Sequence, residues 1–314
     1  MDNITFTADL HIDLRRKGVP PSWEKQRLKL MVEQLPLHPL IIGGDVFNRI
    51  PTLEELDLFL NLMTRFKDVP VLIYPGNHEM LSKTKSCFPQ LETAFKAVCQ
   101  HPESCIIEAP TNSVKFAGQV FDVLPYTGVK NYKDFKPVEK VLLSHFRASI
   151  PPHVLPEVDL GYFKQWEVVY LGDLHSHSNT QDNLIYPGSP VTTSFHRALT
   201  TSGYLEICGT SWKYFDFAIE LPQLLRRTIS DPKDAIPDDF HFVTYEIEGS
   251  AVELAEVKLD ETITKKVKPK AKEIALVLEP GMSEFEKLKE YLLYVIQLDE
   301  AEASEVANLY LEVK

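Results

Sequence analysis

The chain has 314 residues, 44% of them hydrophobic and 25% charged, which is ordinary globular usage and excludes a disordered or fibrous protein. Its formal net charge of -12 argues against a large nucleic-acid surface made by this chain alone, because phosphate neutralisation needs clustered Lys and Arg; bound cations or a basic partner would alter that balance. No window approaches the ~18 consecutive apolar residues of a membrane span, the N-terminus lacks the features of an export signal, and the four cysteines lack the spacing of a thiolate zinc site. A soluble, cytoplasmic protein with one large α/β domain and a smaller one is therefore expected.

The first half repeats one unit: a short apolar strand, a polar loop and an amphipathic helix, the grammar of βαβ folds. A strand over 4–8 runs into Asp9-Leu10-His11. Ser22 precedes a helix to about 35, and a strand over 39–42 ends at Gly43-Gly44-Asp45. Thr52, with Glu55 three residues on, forms a capping-box signature, and Leu56, Leu60 and Met63 are assigned to the buried face of the helix that follows. A third strand over 69–74 ends at Gly76-Asn77-His78-Glu79. Weaker strands over 105–108 and 120–124 follow, then one over 141–143 entering Ser144-His145 and one over 168–171 entering Gly172-Asp173-Leu174-His175. Strands over 203–207 and 212–221 read as a hairpin closing the first domain at 222. Beyond it come a strand over 240–247, a helix capped by Ser283 and running to about 297, and another over 301–311.

Five strand ends thus deliver side chains able to hold metal ions: Asp9 and His11, Asp45, Asn77 with His78, His145, and Asp173 with His175. Most intervals are close to one βαβ unit of ~30 residues, and loops at the carboxyl ends of strands in such sheets share one crevice. Singly, each Asp or His has a commoner role bonding local backbone. Independent caps, however, have no reason to occupy these five strand ends in this order. A nitrogen and oxygen set without sulfur suits divalent manganese, iron, zinc or magnesium, and two ions about 3.5–4 Å apart would clamp a phosphate and activate water, the chemistry of phosphoester hydrolysis. His177 is a candidate spare ligand, whereas His38, His101, His153, His196 and His241 lack motif context.

The motifs D-L-H, G-G-D, G-N-H-E, S-H and G-D-L-H, in this order, resemble those of the calcineurin-like metallophosphoesterases. Within that superfamily G-D-V-F, G-N-H-E and Y-P-G-S-P are similar to the SbcD-type nuclease subunits of recombination and repair complexes, bacteriophage versions included. The resemblance covers residues 1–222 and implies an α/β fold: a metallophosphoesterase β-sandwich flanked by helices, then a small α/β capping domain over 223–280 and C-terminal helices over 281–314. Carried over position by position, it implies that Asp9, His11, Asp45 and His175 hold one ion, with Asp45 bridging. Asn77, His145 and Asp173 would hold the second, leaving His78 to protonate the leaving oxygen or steady the transition state. Most members carry His where this chain has Asp173, and the harder carboxylate tilts the two-ion site toward manganese, with magnesium as the alternative.

Three further features carry double readings. Tyr186 and Ser189 are either walls of a phosphate channel or turn chemistry. Lys265, Lys266, Lys268, Lys270 and Lys272 are either a solvated loop or a DNA-contacting arm of the capping domain. The C-terminal helices stand where relatives dock on an SbcC-type coiled-coil ATPase, and residues 56–66 are a candidate homodimer face as well as ordinary core packing. The resulting expectation is a two-metal nuclease subunit of an SbcCD-like complex acting on duplex ends or branched DNA, in the host cytoplasm if phage-encoded. The alternatives are a phosphatase or phosphodiesterase of the same fold acting on a small molecule or protein, and a non-catalytic scaffold.

Overall fold

Alternation along short apolar strands creates two core layers. In β2 (Leu40–Gly43), Leu40 and Ile42 join a helix-facing cluster while Ile41 joins a second cluster between sheets; in β3 (Val71–Tyr74), Val71 and Ile73 divide from Leu72 and Tyr74 in the same way. Strands buried on both faces need apolar residues at every position, which is why these segments read as continuous runs. The protein is seen here in a computed structural model, which describes residues 3–152, 154–249, 263–267, 282–296 and 298–313.

The first sheet collects β1 (Ile4–Thr7), β2, β3, β6 (Cys105–Ile106), β12 (Gly203–Cys208) and β13 (Ser211–Asp216), in the order β13-β12-β1-β2-β3-β6. Its central strands are parallel, with Phe6 opposite Ile41 and Ile42 opposite Ile73, and the β12–β13 hairpin adds to β1 antiparallel. Three helices, α1 (Pro21–Gln34), α2 (Leu53–Met63) and α3 (Glu92–Val98), contribute Leu28, Met31, Phe59, Met63 and Phe95 to its outer layer. A small hairpin, β4 (Met80–Ser82) with β5 (Lys85–Ser86), follows β3. The second sheet runs β11-β10-β9-β8-β7, made of β7 (Thr111–Phe116), β8 (Gln119–Leu124), β9 (Val141–His145), β10 (Val168–Gly172) and β11 (Leu184–Ile185). The two inner faces meet through Phe6, Leu72, Tyr74, Phe121, Leu143 and Tyr170. The βαβ grammar lapses in this half: the one-turn α4 (Tyr126–Val129) and 3-10 turns replace long helices, and Phe146, Phe163 and Trp166 on connecting segments cover the outer face.

Local expectations are met with shifts in α1 and α2, and β6 and β13 stop at Ile106 and Asp216, short of the expected 108 and 221. Thr52 and Glu55 form the reciprocal capping box, Thr52 Oγ1 accepting from Glu55 N and Glu55 Oε2 from Thr52 N. Phe59, Leu62 and Met63 are the buried apolar residues of α2, whereas Leu56 and Leu60 are only half-buried. Glu55 explains the rotation, because its buried carboxylate turns inward to accept from Leu14 N and Arg15. Helix α1 begins at Pro21 rather than after a Ser22 cap, proline being favoured in the first turn.

Helix α1 also buries an ion pair. Arg27 Nη2 lies 2.6 Å from Glu24 Oε1, both side chains at most 1% exposed, and Arg27 Nη1 donates to Thr192 O at 2.8 Å. Arg27→Met would strand the Glu24 carboxylate in the core and is expected to cost about 3–5 kcal/mol. The Glu24→Gln, Arg27→Met double substitution should recover part of that loss in urea-unfolding midpoints.

Two compact units divide the chain: Met1–Arg227 with Ala235–Tyr245 and Asp260–Ile263, and Thr228–Asp234 with Glu246–Leu259 and Thr264–Lys314. A three-stranded sheet is formed by β14 (Leu224–Ile229), β15 (Phe242–Gly249) and β16 (Ile263–Val267). Helix α5 (Glu284–Tyr291) opens with a Ser283–Glu286 capping box and runs directly into a π turn at Leu292–Ile296, so the helical run ends close to the expected 297 with its last part wound as π. Helix α6 (Glu300–Val313) buries Ala303 and Ala307 with Leu292. Among the described residues no helix is long and apolar enough to cross a membrane, and the four cysteines are free thiols.

Candidate metal centre

The chain turns sharply as it leaves β1, β2 and β10. Asp9, His11, Asp45 and Asp173 sit at φ of 59°, 46°, 50° and 96°, a left-handed region that Asp and His enter more readily than most residues. Such conformations cost about 1–3 kcal/mol each and persist only when their surroundings hold them. Here the loops hold one another: Asp9 N donates to Gly44 O and His11 N to Asp45 O, each at 3.0 Å, and Asp173 N donates to the Asp9 carboxylate at 3.0 and 3.1 Å. Fully buried Glu79 ties the next two loops, accepting from Asp45 N at 3.0 Å, Phe47 N at 2.8 Å and Gly76 N at 2.9 Å. Close approach accounts for Gly76, where a Cβ would stand 2.6 Å from Asp45 N and 2.7 Å from His145 Cε1.

The side chains converge on the Asp45 carboxylate. Its Oδ2 is 3.6 Å from His11 Nε2 and 3.8 Å from His78 Nε2, and its Oδ1 is 3.5 Å from His145 Nε2. His11 Nε2 and His175 Nε2 are 3.0 Å apart. Three trios bring ligand atoms within 4.8 Å of one another: Asp9–His11–His175, His11–Asp45–His78 and Asp9–Asp45–His145. Asp9, His11 and Asp45 each belong to two of them, and Asp45 turns Oδ2 to His11 and Oδ1 to His145, the position a bridging carboxylate would hold.

Hydrogen bonds on the far ring nitrogens orient the histidines. His145 Nδ1 is 2.7 Å from Gly43 O and His78 Nδ1 2.5 Å from Asn48 O. A carbonyl only accepts, so both Nδ1 atoms carry hydrogen and both Nε2 atoms face the centre. His11 Nδ1 meets Asn48 Oδ1 at 3.2 Å, and His175 Nδ1 meets Thr193 Oγ1 at 2.8 Å. Such partners commonly set the tautomer of metal-binding histidines.

The electrostatics ask for a cation. Burial pushes the His11 pKa down to about 3 and that of His175 to about 4, leaving both neutral with lone pairs to offer. Burial likewise opposes charge on His145, but Asp45, Asp9 and Asp173 outweigh it and raise its pKa well above the ordinary imidazole value. Burial would raise Asp45 too, yet His145, His11 and His78 hold it ionised far below the usual carboxylate range. Asn77 Oδ1 faces the Asp45 carboxylate and, at 3.2 Å, His145 Nε2; turned over, its amide would instead donate to Asp45 Oδ1 and Oδ2 at 3.0 and 2.9 Å. With oxygen inward, neighbouring acceptors surround one space, which is the donor set that divalent cations take.

Asp9, His11, Asp45, Asn77, His78, His145 and His175 are thus brought together. Asp173 lies at the edge of this group: its charge acts on His145 and Asp45, while its carboxylate belongs to none of the three trios and lies 3.9 Å from Arg147 Nε. Tyr186 is fully buried with its hydroxyl donating to Phe146 O, so it packs the second sheet rather than walling a channel. Ser189 Oγ is committed to backbone, 2.6 Å from both Asp9 O and Val191 O, and braces the first ligand loop. His177 stacks on Tyr214 at 4.1 Å, its Nδ1 on Tyr186 O, and is structural. His153, Lys268, Lys270 and Lys272 lie outside the described residues, as do the side chains of Lys265 and Lys266 on β16. Sequence reasoning missed the supporting roles of Asn48, Glu79 and Thr193; only Glu79 carried a signal, as the last residue of G-N-H-E.

Comparison with known proteins is consistent with this geometry. The calcineurin-like phosphoesterase model matches residues 3–206. A protein of Escherichia phage T5 named "Probable exonuclease subunit 1" is 37% identical over 281 residues, covering 84% of this chain and 84% of that one. "Putative phosphoesterase 078R" of Invertebrate iridescent virus 3 is 21% identical over 242 residues, 71% of this chain and 67% of that one. The crystal structure of TT1561 of Thermus thermophilus overlays on 68% of this chain and 98% of that one, with a TM-score of 0.40 and 11% identity.

Proposed function

The chain belongs to the calcineurin-like phosphoesterase family, and from that premise we propose that it is a DNA nuclease: the catalytic subunit of an SbcCD-like complex, hydrolysing phosphodiesters at duplex ends or branches. The observation that carries hydrolysis is the convergence of acceptors around Asp45 from the four other strand ends. The support for DNA, and for a subunit's role, is the name of the phage T5 relative, similar over most of both chains.

Asp9, His11, Asp45 and His175 would hold one divalent cation, and Asp45, Asn77 and His145 a second, manganese being favoured and magnesium the alternative. When bound, such ions neutralise charge on a phosphoryl group and activate water near neutral pH. The chain's own residues do the rest. Asn48 fixes His78 through Nδ1 and leaves Nε2, on a side chain 36% exposed, at the mouth of the centre. From there His78, when it carries hydrogen on Nε2 as well as on Nδ1, donates the Nε2 proton to the leaving oxygen and returns to the neutral Nδ1–H form. Gly43 O, Asn48 and Thr193 keep the ligand imidazoles in the tautomers that aim Nε2 inward. Residues 223–280 serve as a capping, DNA-contacting domain in this reading, and α5 and α6 as the docking element for the ATPase. Homodimerisation through the phosphoesterase domain completes the complex.

End-labelled linear duplex incubated with the protein and manganese, then with magnesium, is expected to be degraded, and to stay intact when EDTA replaces the metal. An undigested duplex alongside turnover of phosphate monoesters would transfer the activity to a small-molecule phosphatase.

A further inference from the structure

The side of the centre nearest Asp173 holds a positive group that none of the catalytic roles above uses. Arg147 stands two residues past His145, just beyond the end of β9. Its backbone is clamped on both sides by Glu157: Arg147 N donates to Glu157 Oε1 at 2.7 Å, and Glu157 N donates to Arg147 O at 3.2 Å. Glu157 is itself steadied by the Tyr126 hydroxyl, 3.1 Å from Oε2. The side chain, in contrast, is 47% exposed, and among the described residues its guanidinium makes no hydrogen bond and pairs with the 9%-exposed carboxylate of Asp173, 3.9 Å from Nε.

Asp173 is anchored in turn, its own N–H donating to the Asp9 carboxylate while its side chain stays out of every metal-capable trio. An unpaired carboxylate at this position would repel a phosphate entering the centre. A guanidinium beside it cancels that charge and keeps N–H groups available for a second anion, in the planar fork that matches phosphate oxygens.

We propose that Arg147 is a substrate-contacting residue that grips a non-bridging oxygen of the phosphodiester, and that Asp173 is its positioning residue rather than a metal ligand. This rests on the reading of the centre as a phosphodiesterase. The pair gives the substrate a contact from this chain's own arginine, made at the scissile group or the phosphate next to it.

The test uses the full chain loaded with manganese, as wild type, Arg147→Ala, Arg147→Lys, Asp173→Ala and the Arg147→Ala, Asp173→Ala double variant. Bound manganese is counted by mass spectrometry, KM and kcat are measured on bis(4-nitrophenyl) phosphate, and affinity for a fluorescein-labelled duplex is read by anisotropy with metal and in EDTA. Asp173→Ala should keep the wild-type metal count. Arg147→Ala should raise KM and weaken duplex binding about tenfold, the loss expected for one charged hydrogen-bonded contact, with kcat little changed. Arg147→Lys should restore part of the binding, and the double variant should bind no worse than Arg147→Ala alone, because Asp173 acts through Arg147. Loss of one manganese per chain in Asp173→Ala would make it a ligand and overturn the assignment, as would wild-type KM and duplex affinity in Arg147→Ala. A wild type that turns over neither diester nor DNA sinks the phosphodiesterase reading, while the metal count still decides whether Asp173 is a ligand.

Discussion

Asp45→Asn is expected to abolish hydrolysis, lowering kcat on DNA by more than about 10³-fold, and to remove bound metal, because one carboxylate serves both sides of the centre. Oδ2 addresses His11 and His78, and Oδ1 addresses His145 while accepting from His78 N at 3.0 Å. An amide cannot present two anionic oxygens, and its NH2 group would face an imidazole lone pair. The residue is also 1% exposed, so no water can take over its charge. Stability separates this from misfolding. Wild type should gain thermal stability on adding manganese, by about 2.7 kcal/mol at a concentration 100-fold above the dissociation constant, whereas Asp45→Asn should melt at one temperature with or without metal. A variant that retains the manganese-dependent shift would show that Asp45 does not hold the ion.

Candidate ligand positions were legible because the same residue types satisfy two local demands. Asp and His are among the few side chains tolerated at positive φ, and they are also metal ligands, so the turns after β1 and β2 select the same residues as the chemistry does, whereas the turn after β10 puts Asp173 rather than His175 at positive φ. What was illegible depends on contacts between loops distant in sequence. Nothing near Asp173 in the chain announces Arg147, nor does the G-D-L-H motif reveal that Thr193 will meet His175. Tyr186 and Ser189 stayed open between two readings for the same reason: Y-P-G-S-P suits a site and a turn alike, and Phe146 O and Asp9 O, far away in sequence, take both hydroxyls. The face of α2 was rotated by a buried carboxylate, Glu55, whose partner Arg15 lies on another loop. Periodicity assigns a charged residue to solvent unless a non-local partner draws it inward.

His78→Ala is expected to lower kcat on DNA by about 10² to 10⁴-fold, the usual contribution of a general acid, with metal content and KM close to wild type. Its ring is hydrogen-bonded through Nδ1 to Asn48 O and lies edge-on to His11 at 4.8 Å, and its backbone N–H donates to Asp45 Oδ1, a bond that survives truncation of the side chain. His78 also completes a trio with His11 and Asp45, so it has two candidate roles that differ in what they predict. A ligand would be missed equally on every substrate and would cost bound manganese. An acid is needed only where the departing oxygen is a poor leaving group, as the sugar alkoxide of DNA is. Bis(4-nitrophenyl) phosphate releases an anion that leaves without a proton, so His78→Ala should hydrolyse it with far less loss than DNA. Equal losses on both substrates, with manganese reduced, would move His78 from proton donor to metal ligand and leave the leaving group to be protonated by solvent.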